Sequence, residues 1–363
     1  MSVARAASNP SSTEDRDFCR SMLPRVSRTF AVCIRLLPPM LEHPVLVSYL
    51  LCRVADTVED TTLLDPTEKR RLLTHFGDCL AEDGPDAELL HSAFQTYTGD
   101  DELLAKEANT VLREFRRLPP DQRSAVRPWV EEMCNGMAQF TGNSPDEPVQ
   151  SSASIRTIQD LERYCYYVAG TVGHLLTELF GQHSSINSRR YARMKSLATS
   201  FGLGLQLTNI IKDVADDRRR GRSFVPRQLC LGVGMKPEEV QAGNHQSESR
   251  QAMNLLIDRA KGHLCDALEY SMTLPRRLFR VRAFCLTSFY FAVRTIRLAE
   301  RDPRLLDPNF KLKITRGEVH RTLIATKFVA PVNILVKGYF RRLAGERWWK
   351  RYLAQRTALR EAV

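Results

Sequence analysis

The sequence lacks any apolar run near the roughly 20 residues that a membrane-spanning helix needs. The best candidate, 328–340, is short and is broken by Pro331, Asn333 and Lys337. There is no CxxC pair and no His/Cys grouping at zinc-site spacing. The nine cysteines stand singly at Cys19, Cys33, Cys52, Cys79, Cys134, Cys165, Cys230, Cys265 and Cys285, mostly among apolar neighbours. An odd, unpatterned set argues against a disulfide framework and for a reducing, cytoplasmic setting, with the thiols acting as small core hydrophobes. Alternating strand patterns are scarce, and tandem repeats and low-complexity linkers are missing. Acidic residues number 42 against 53 Lys and Arg, a formal charge of +11. That excess favours anionic partners: nucleic acid, an acidic membrane surface or phosphorylated substrates. Nucleic-acid recognition needs basic and aromatic readers clustered on one element. Only the C-terminal tail offers such a cluster, and no nucleic-acid partner is expected. No obligate protein partner is evident.

What is present is helical periodicity. Leu46, Tyr49, Leu50, Arg53 and Val54 begin one run; Leu161, Tyr164, Cys165, Val168 and Val172 mark a second; Leu203, Leu207, Ile210 and Ile211 mark a third. Breakers fall between such runs, at Pro38-Pro39, Pro119-Pro120, 142–148, 232–237 and 302–308. One all-α domain over 18–336 is the economical reading, and 43% hydrophobic residues are ample for its core. The polar segment 1–17, with Pro10 and a Ser/Thr run, reads as a disordered tail; Glu14, Asp15 and Asp17 argue against a transit peptide. Segment 337–363 reads as a basic amphipathic tail, mixing Trp348, Trp349, Tyr352 and Leu353 with Lys and Arg. That composition suits a peripheral helix on an anionic membrane surface.

Two acidic pentads carry the chemistry. Asp56-Thr57-Val58-Glu59-Asp60 and Asp213-Val214-Ala215-Asp216-Asp217 each close an apolar helical run. Carboxylates four apart share a helix face and repel by a few tenths of a kcal/mol. One pentad alone reads as a solvated helix end; two reverse that preference. Magnesium removes the repulsion, since it takes one or two carboxylates together with substrate phosphates. Asp56, Glu59, Asp60, Asp213, Asp216 and Asp217 are therefore the candidate metal ligands. Arg53, one turn before Asp56, Lys212 beside Asp213, and Arg222 beyond Asp217 suit a diphosphate whose charge develops on leaving.

At these residues the sequence resembles the squalene/phytoene synthase family. Ser27-Arg28-Thr29-Phe30 is similar to its N-terminal Ser-Arg-x-Phe element, and Arg53 through Asp60 to its first aspartate motif. Tyr164-Cys165-Tyr166-Tyr167 and the small residues up to Gly173 are similar to its tyrosine–glycine helix. Gln206 through Asp217, with Gly221-Arg222 and Pro226, is similar to its second aspartate motif. The resemblance implies a single all-α prenyl-synthase domain with a large central cavity, in which two farnesyl diphosphates join head to head through presqualene diphosphate. It makes Tyr164, Arg53, Arg28, Lys212 and Arg222 the candidate catalytic residues, with Tyr164 handling the proton of the first half-reaction. It makes Ser27, Phe30, Tyr49, Gln206 and Asn209 candidates for holding the prenyl diphosphate.

Squalene synthases finish with hydride from NADPH, whereas phytoene and dehydrosqualene synthases lose a proton. Leu312-Lys313-Ile314-Thr315-Arg316-Gly317 resembles the squalene-synthase segment linked to NADPH. By that resemblance Lys313 and Arg316, with Arg28, Arg53 and Lys212, would hold the cofactor. The expectation is a squalene synthase of bacterial type, using Mg²⁺ and NADPH. The alternatives are a phytoene or dehydrosqualene synthase, a non-catalytic lipid-binding or assembly relative, and a class I terpene cyclase. The last would leave the elements at 27–30 and 164–173 unexplained.

Overall fold

The structure, a computed structural model, describes residues 12–96, 98–141, 155–182, 186–236, 239–240 and 246–361. Every regular element among them is helical. In chain order these are α1 (Ser12–Val26), α2 (Arg28–Ile34), α3 (Pro39–Asp60), α4 (Pro66–Asp78), α5 (Glu88–Ala93), α6 (Asp100–Lys106), α7 (Ala108–Arg116), α8 (Pro120–Phe140) and α9 (Ile158–Cys165). They continue as α10 (Thr171–Gly181), α11 (Ser188–Arg219), α12 (Arg227–Gly232), α13 (Gln246–Thr273), α14 (Phe279–Arg301), α15 (Arg316–Val329), α16 (Asn333–Ala344) and α17 (Glu346–Glu361).

Local chemistry sets the long helices. Pro39 opens α3 at a position where its missing N–H costs nothing, and Leu46, Leu50 and Val54 give that helix its buried side. Asn187 caps α11, its side chain accepting from the Arg190 N–H. α11 packs chiefly on α13 and α10, and one apolar core runs through the bundle.

The tyrosine–glycine segment is not one straight α-helix. A π-helical turn, Tyr166–Gly170, joins α9 to α10. The wider turn holds Tyr164, Val168, Ala169, Val172 and Gly173 together on one cavity wall. Glycines bring this wall against α11 almost backbone to backbone. A Cβ on Gly202 would sit 2.1 Å from the Ala169 carbonyl oxygen, and one on Gly173 2.1 Å from that of Ala198.

Both domain boundaries expected from composition fall inside structure. α1 begins at Ser12, within the segment read as a disordered tail; residues 1–11 lie outside the described ones. Asp15 is only 2% exposed, and Arg113 of α7 and Arg117 just beyond its end both bind its carboxylate. The boundary at residue 337 lies inside α16. The tail that follows is docked rather than free. Trp348 and Tyr352 are buried, Tyr352 donates to Glu269 Oε1 at 2.6 Å, and Gln355 donates to Asp266 Oδ1 at 2.8 Å. These aromatic residues, expected on a membrane surface, are turned onto α13.

Gly202→Ala should lower unfolding stability by about 1–3 kcal/mol, because the new methyl meets backbone that cannot swing aside. Urea denaturation measures it; an unchanged midpoint would show that the π-helical turn and α11 are not held this closely.

Candidate functional site

α3, α11 and the α9–α10 wall enclose a cavity of about 430 Å³. Its inner walls are apolar, with Val168, Val172, Leu176, Phe201 and Phe284 among the lining side chains. The acidic ends of α3 and α11 meet at the polar end. Asp56, Glu59 and Asp60 line it from α3, and Asp213, Asp216 and Asp217 from α11. Gln206, Asn209 and Lys212 line it from the preceding turns of α11, and Arg53 from that of α3. Phe30 and Tyr49 form part of the wall, their ring centroids 5.6 Å apart.

Charge in this cluster is unevenly compensated. Burial, aided by Asp60 and Asp101, pushes the Asp56 carboxyl up to about 7, although Arg53 opposes the rise. Burial and then Asp60 raise Glu59 to about 8, and burial with Asp213 and Asp60 raises Asp217 to about 7. Asp216 behaves oppositely. Lys311 Nζ lies 2.6 Å from its Oδ2, Arg219 pairs with its other oxygen, and its pKa is lowered, with the Lys311 hydrogen bond as the main cause. Arg222 lies behind the first pentad, donating to Asp60 Oδ1 at 2.5 Å and to the Asp60 carbonyl at 2.8 Å.

Asp56 and Asp217 thus bring only partly balanced negative charge from opposite walls, which is what a divalent cation would neutralise. Among the described residues no three ligating side chains gather closely enough to hold an ion by themselves. That fits magnesium, which binds through one or two carboxylates plus substrate phosphates.

Tyr164 is 5% exposed, stacked on Phe224 at 5.0 Å and edge-on to Phe140 at 5.5 Å. Burial, then the charges of Glu59 and Asp60, holds its phenol well above the ordinary range. It is therefore a neutral hydroxyl beside the acidic end, never a phenolate at physiological pH.

Several expected residues stand elsewhere. Ser27 is the N-cap of α2, accepting from the Phe30 N–H at 3.1 Å; it is off the cavity wall and acts on it through Phe30. The Arg28 side chain lies outside the described residues. Lys313 and Arg316 are exposed and off the cavity wall. The cation from this segment that does line the cavity is Lys311. Sequence reading also passed over Asp101 on α6, whose two oxygens accept from Arg53 at 2.9 and 2.8 Å. Neither residue has a local signal, since each meets its partner from a distant part of the chain.

Raised carboxyl pKa values make the folded protein bind protons more tightly than the unfolded chain, so stability falls as pH rises through the window up to about 7–8. In the absence of divalent cations, Asp56→Asn should melt above wild type at about pH 8, with the gap narrowing towards about pH 5. Adding Mg²⁺ with pyrophosphate at the higher pH should raise the wild-type melting temperature more than that of the variant. A gap of the same size at both pH values would mean that Asp56 bears no such strain.

Comparison with known proteins bears on this geometry. The squalene/phytoene synthase family matches residues 23–318. The squalene synthase of Eremothecium gossypii is 34% identical over 301 residues, covering 81% of this chain and 64% of its own length. That of Cyberlindnera jadinii is 29% identical over 351 residues, covering 93% and 73% respectively. The chain therefore spans less than two thirds of the first of these relatives. Both are fungal enzymes, not the bacterial type expected from the sequence. The solved structure of TcSQS with the ligand E5700 superposes with a TM-score of 0.76 at 28% identity, covering 94% of this chain and 96% of that one. With an all-helical fold, two opposed carboxylate pairs and a family match over most of its length, this chain belongs to the squalene/phytoene synthase family.

Proposed function

We propose that the chain condenses two farnesyl diphosphates head to head, through presqualene diphosphate, to squalene, with NADPH as reductant. The observation that carries this reading is the apposition of Asp56 and Asp60 with Asp213 and Asp217 at one end of an apolar cavity. Those four would hold magnesium; Asp216 is already balanced by Lys311 and Arg219. Bound magnesium would supply Lewis-acid neutralisation of the departing diphosphate.

The chain's own residues do the rest. Lys212 and Arg53 add positive charge at the diphosphate end, and Asp101 fixes the direction of the Arg53 guanidinium. The amides of Gln206 and Asn209, three apart on α11, orient the polar group. Val168, Val172, Leu176 and Phe201 keep water from the allylic cation. Closing the cyclopropane of presqualene diphosphate requires a proton to leave carbon. Tyr164 is protonated, so it can accept that proton only while passing its own to a diphosphate oxygen. When bound, NADPH would supply the hydride of the second half. Lys313 and Arg316, exposed on the segment that brings Lys311 to the cavity, suit a cofactor phosphate approached from outside. Because both stand off the cavity wall, release of an unreduced dehydrosqualene or phytoene is the second reading. A product this insoluble calls for a lipid phase, so peripheral membrane contact belongs to the same proposal.

Purified protein, farnesyl diphosphate and Mg²⁺ should yield presqualene diphosphate, and squalene once NADPH is added. The same unreduced polyene with and without NADPH would establish the second reading instead. Asp217→Asn should lower turnover at least about a hundredfold with the fold intact. Tyr164→Phe should lose conversion of farnesyl diphosphate yet keep some conversion of supplied presqualene diphosphate. Equal loss of both steps would make Tyr164 a packing residue.

A further inference from the structure

One face carries apolar side chains that nothing among the described residues covers. Phe279 at the start of α14, Ile324 and Phe328 on α15, and Val332, Ile334 and Leu335 at the start of α16 are all exposed. Phe328 is 74% and Ile334 78% exposed. They are held on one rigid frame. Arg282, fully buried, donates to the Ala330 carbonyl at 2.6 Å and to Asn333 Oδ1 at 2.6 Å. It also donates to the Leu274 carbonyl at 2.8 Å and to that of Met272 at 3.3 Å. One guanidinium so fastens the end of α13, the start of α14 and the α15–α16 turn together. Tyr290 secures α16 from beneath, donating to the Val336 carbonyl at 3.0 Å. The turn is therefore a fixed apolar prow, not a loose loop.

The charged side chains on the stretches that build this face have one sign. Neither 270–299 nor 319–345 contains an Asp or Glu. Arg276, Arg277, Arg321 and Lys327 are exposed in these stretches. A basic rim around apolar side chains repels a second copy of itself and attracts a negatively charged lipid surface.

We propose that the α15–α16 turn, with Phe279 beside it, docks on an anionic bilayer. Phe328, Ile334 and Leu335 enter the headgroup–acyl boundary while the rim pairs with lipid phosphates. No helix among the described residues is long and apolar enough to cross a membrane, so the contact is superficial. The docking end is opposite in chemistry to the acidic one. Phe284 and Ser288, about one and a half and two and a half turns beyond Phe279 on α14, line the apolar part of the cavity. The face thus joins the lipid surface to the helix that walls the hydrocarbon-binding space. This deepens the reading of peripheral membrane contact. Binding is measured without substrate, so its failure leaves the reaction chemistry untouched.

The test is co-sedimentation of the full chain with phosphatidylcholine vesicles, with and without phosphatidylserine. Wild type should bind the anionic vesicles, and Phe328→Ser/Ile334→Ser should bind them at least about tenfold more weakly with an unchanged melting temperature. Lys327→Glu should weaken binding to anionic vesicles only. Leu353→Ser on α17 should bind as wild type. As a measurement that does not depend on losing a side chain, a polarity-sensitive dye on Ile334→Cys should shift to the blue on adding anionic vesicles. Undiminished binding by the double variant, an unshifted dye, or loss of binding in Leu353→Ser would overturn the proposal. So would a wild-type dimer that the double variant dissociates, since that would make the face a contact between copies.

Discussion

The interaction on which the site depends is a repulsion. Asp56 and Asp217 are half-buried carboxylates at the ends of two long helices, and both are pushed to about 7, by desolvation first and then by Asp60 and Asp101 for Asp56 and by Asp213 and Asp60 for Asp217. A fold under selection for stability alone would have balanced them, as it balances Asp15 with two arginines and Asp216 with Lys311 and Arg219. The contrast lies within one pentad: Asp216 and Asp217 are adjacent, yet one is neutralised and the other is not. Partly compensated charge facing an apolar cavity is what the proposed magnesium site requires.

The rest of the architecture holds that repulsion in place. α3 is anchored by its buried Leu, Val and Cys side chains, and its acidic end is gripped from behind by Arg222 and by Lys69, which donates to the Glu59 carbonyl at 2.8 Å. These cations take backbone carbonyls as well as Asp60, so they fix the helix end without neutralising Asp56. α11 is held by the glycine contacts at Gly202 and Gly173, which leave no slack between it and the wall bearing Tyr164. A shift of one helix against the other would separate the carboxylate pairs, so close backbone packing in the apolar region and the proposed metal site at the polar end are linked.

Legibility from sequence followed the range of the interaction. The all-helical class, the two pentads and the wall from Tyr164 to Gly173 are local patterns, readable from spacings of three and four residues. The π-helical turn was not readable, because one extra residue per turn leaves no mark in an apolar periodicity. Lys311 and Asp101 were missed because their partners lie far away in sequence, and a lone Lys or Asp has no pattern of its own. The motif points to Lys313 and Arg316, yet of these three cations it is Lys311, just before the motif, that lines the cavity.

Composition misled where it was read as exposure. The tail aromatics look amphipathic, and Trp348 and Tyr352 do form a stripe at helical spacing. The stripe finds its partner in α13, where Glu269 and Asp266 accept from Tyr352 and Gln355. A cluster of exposed apolar side chains lies instead around 324–335, overlapping the run 328–340 in which Pro331, Asn333 and Lys337 forbid a membrane-spanning helix. The same residues that prevent a span make a turn: Pro331 ends α15, and Asn333 starts α16 with its side chain on Arg282. An interrupted apolar run with basic flanks has too little length to cross a bilayer and too much exposed carbon to stay in water. A position at the boundary satisfies both constraints.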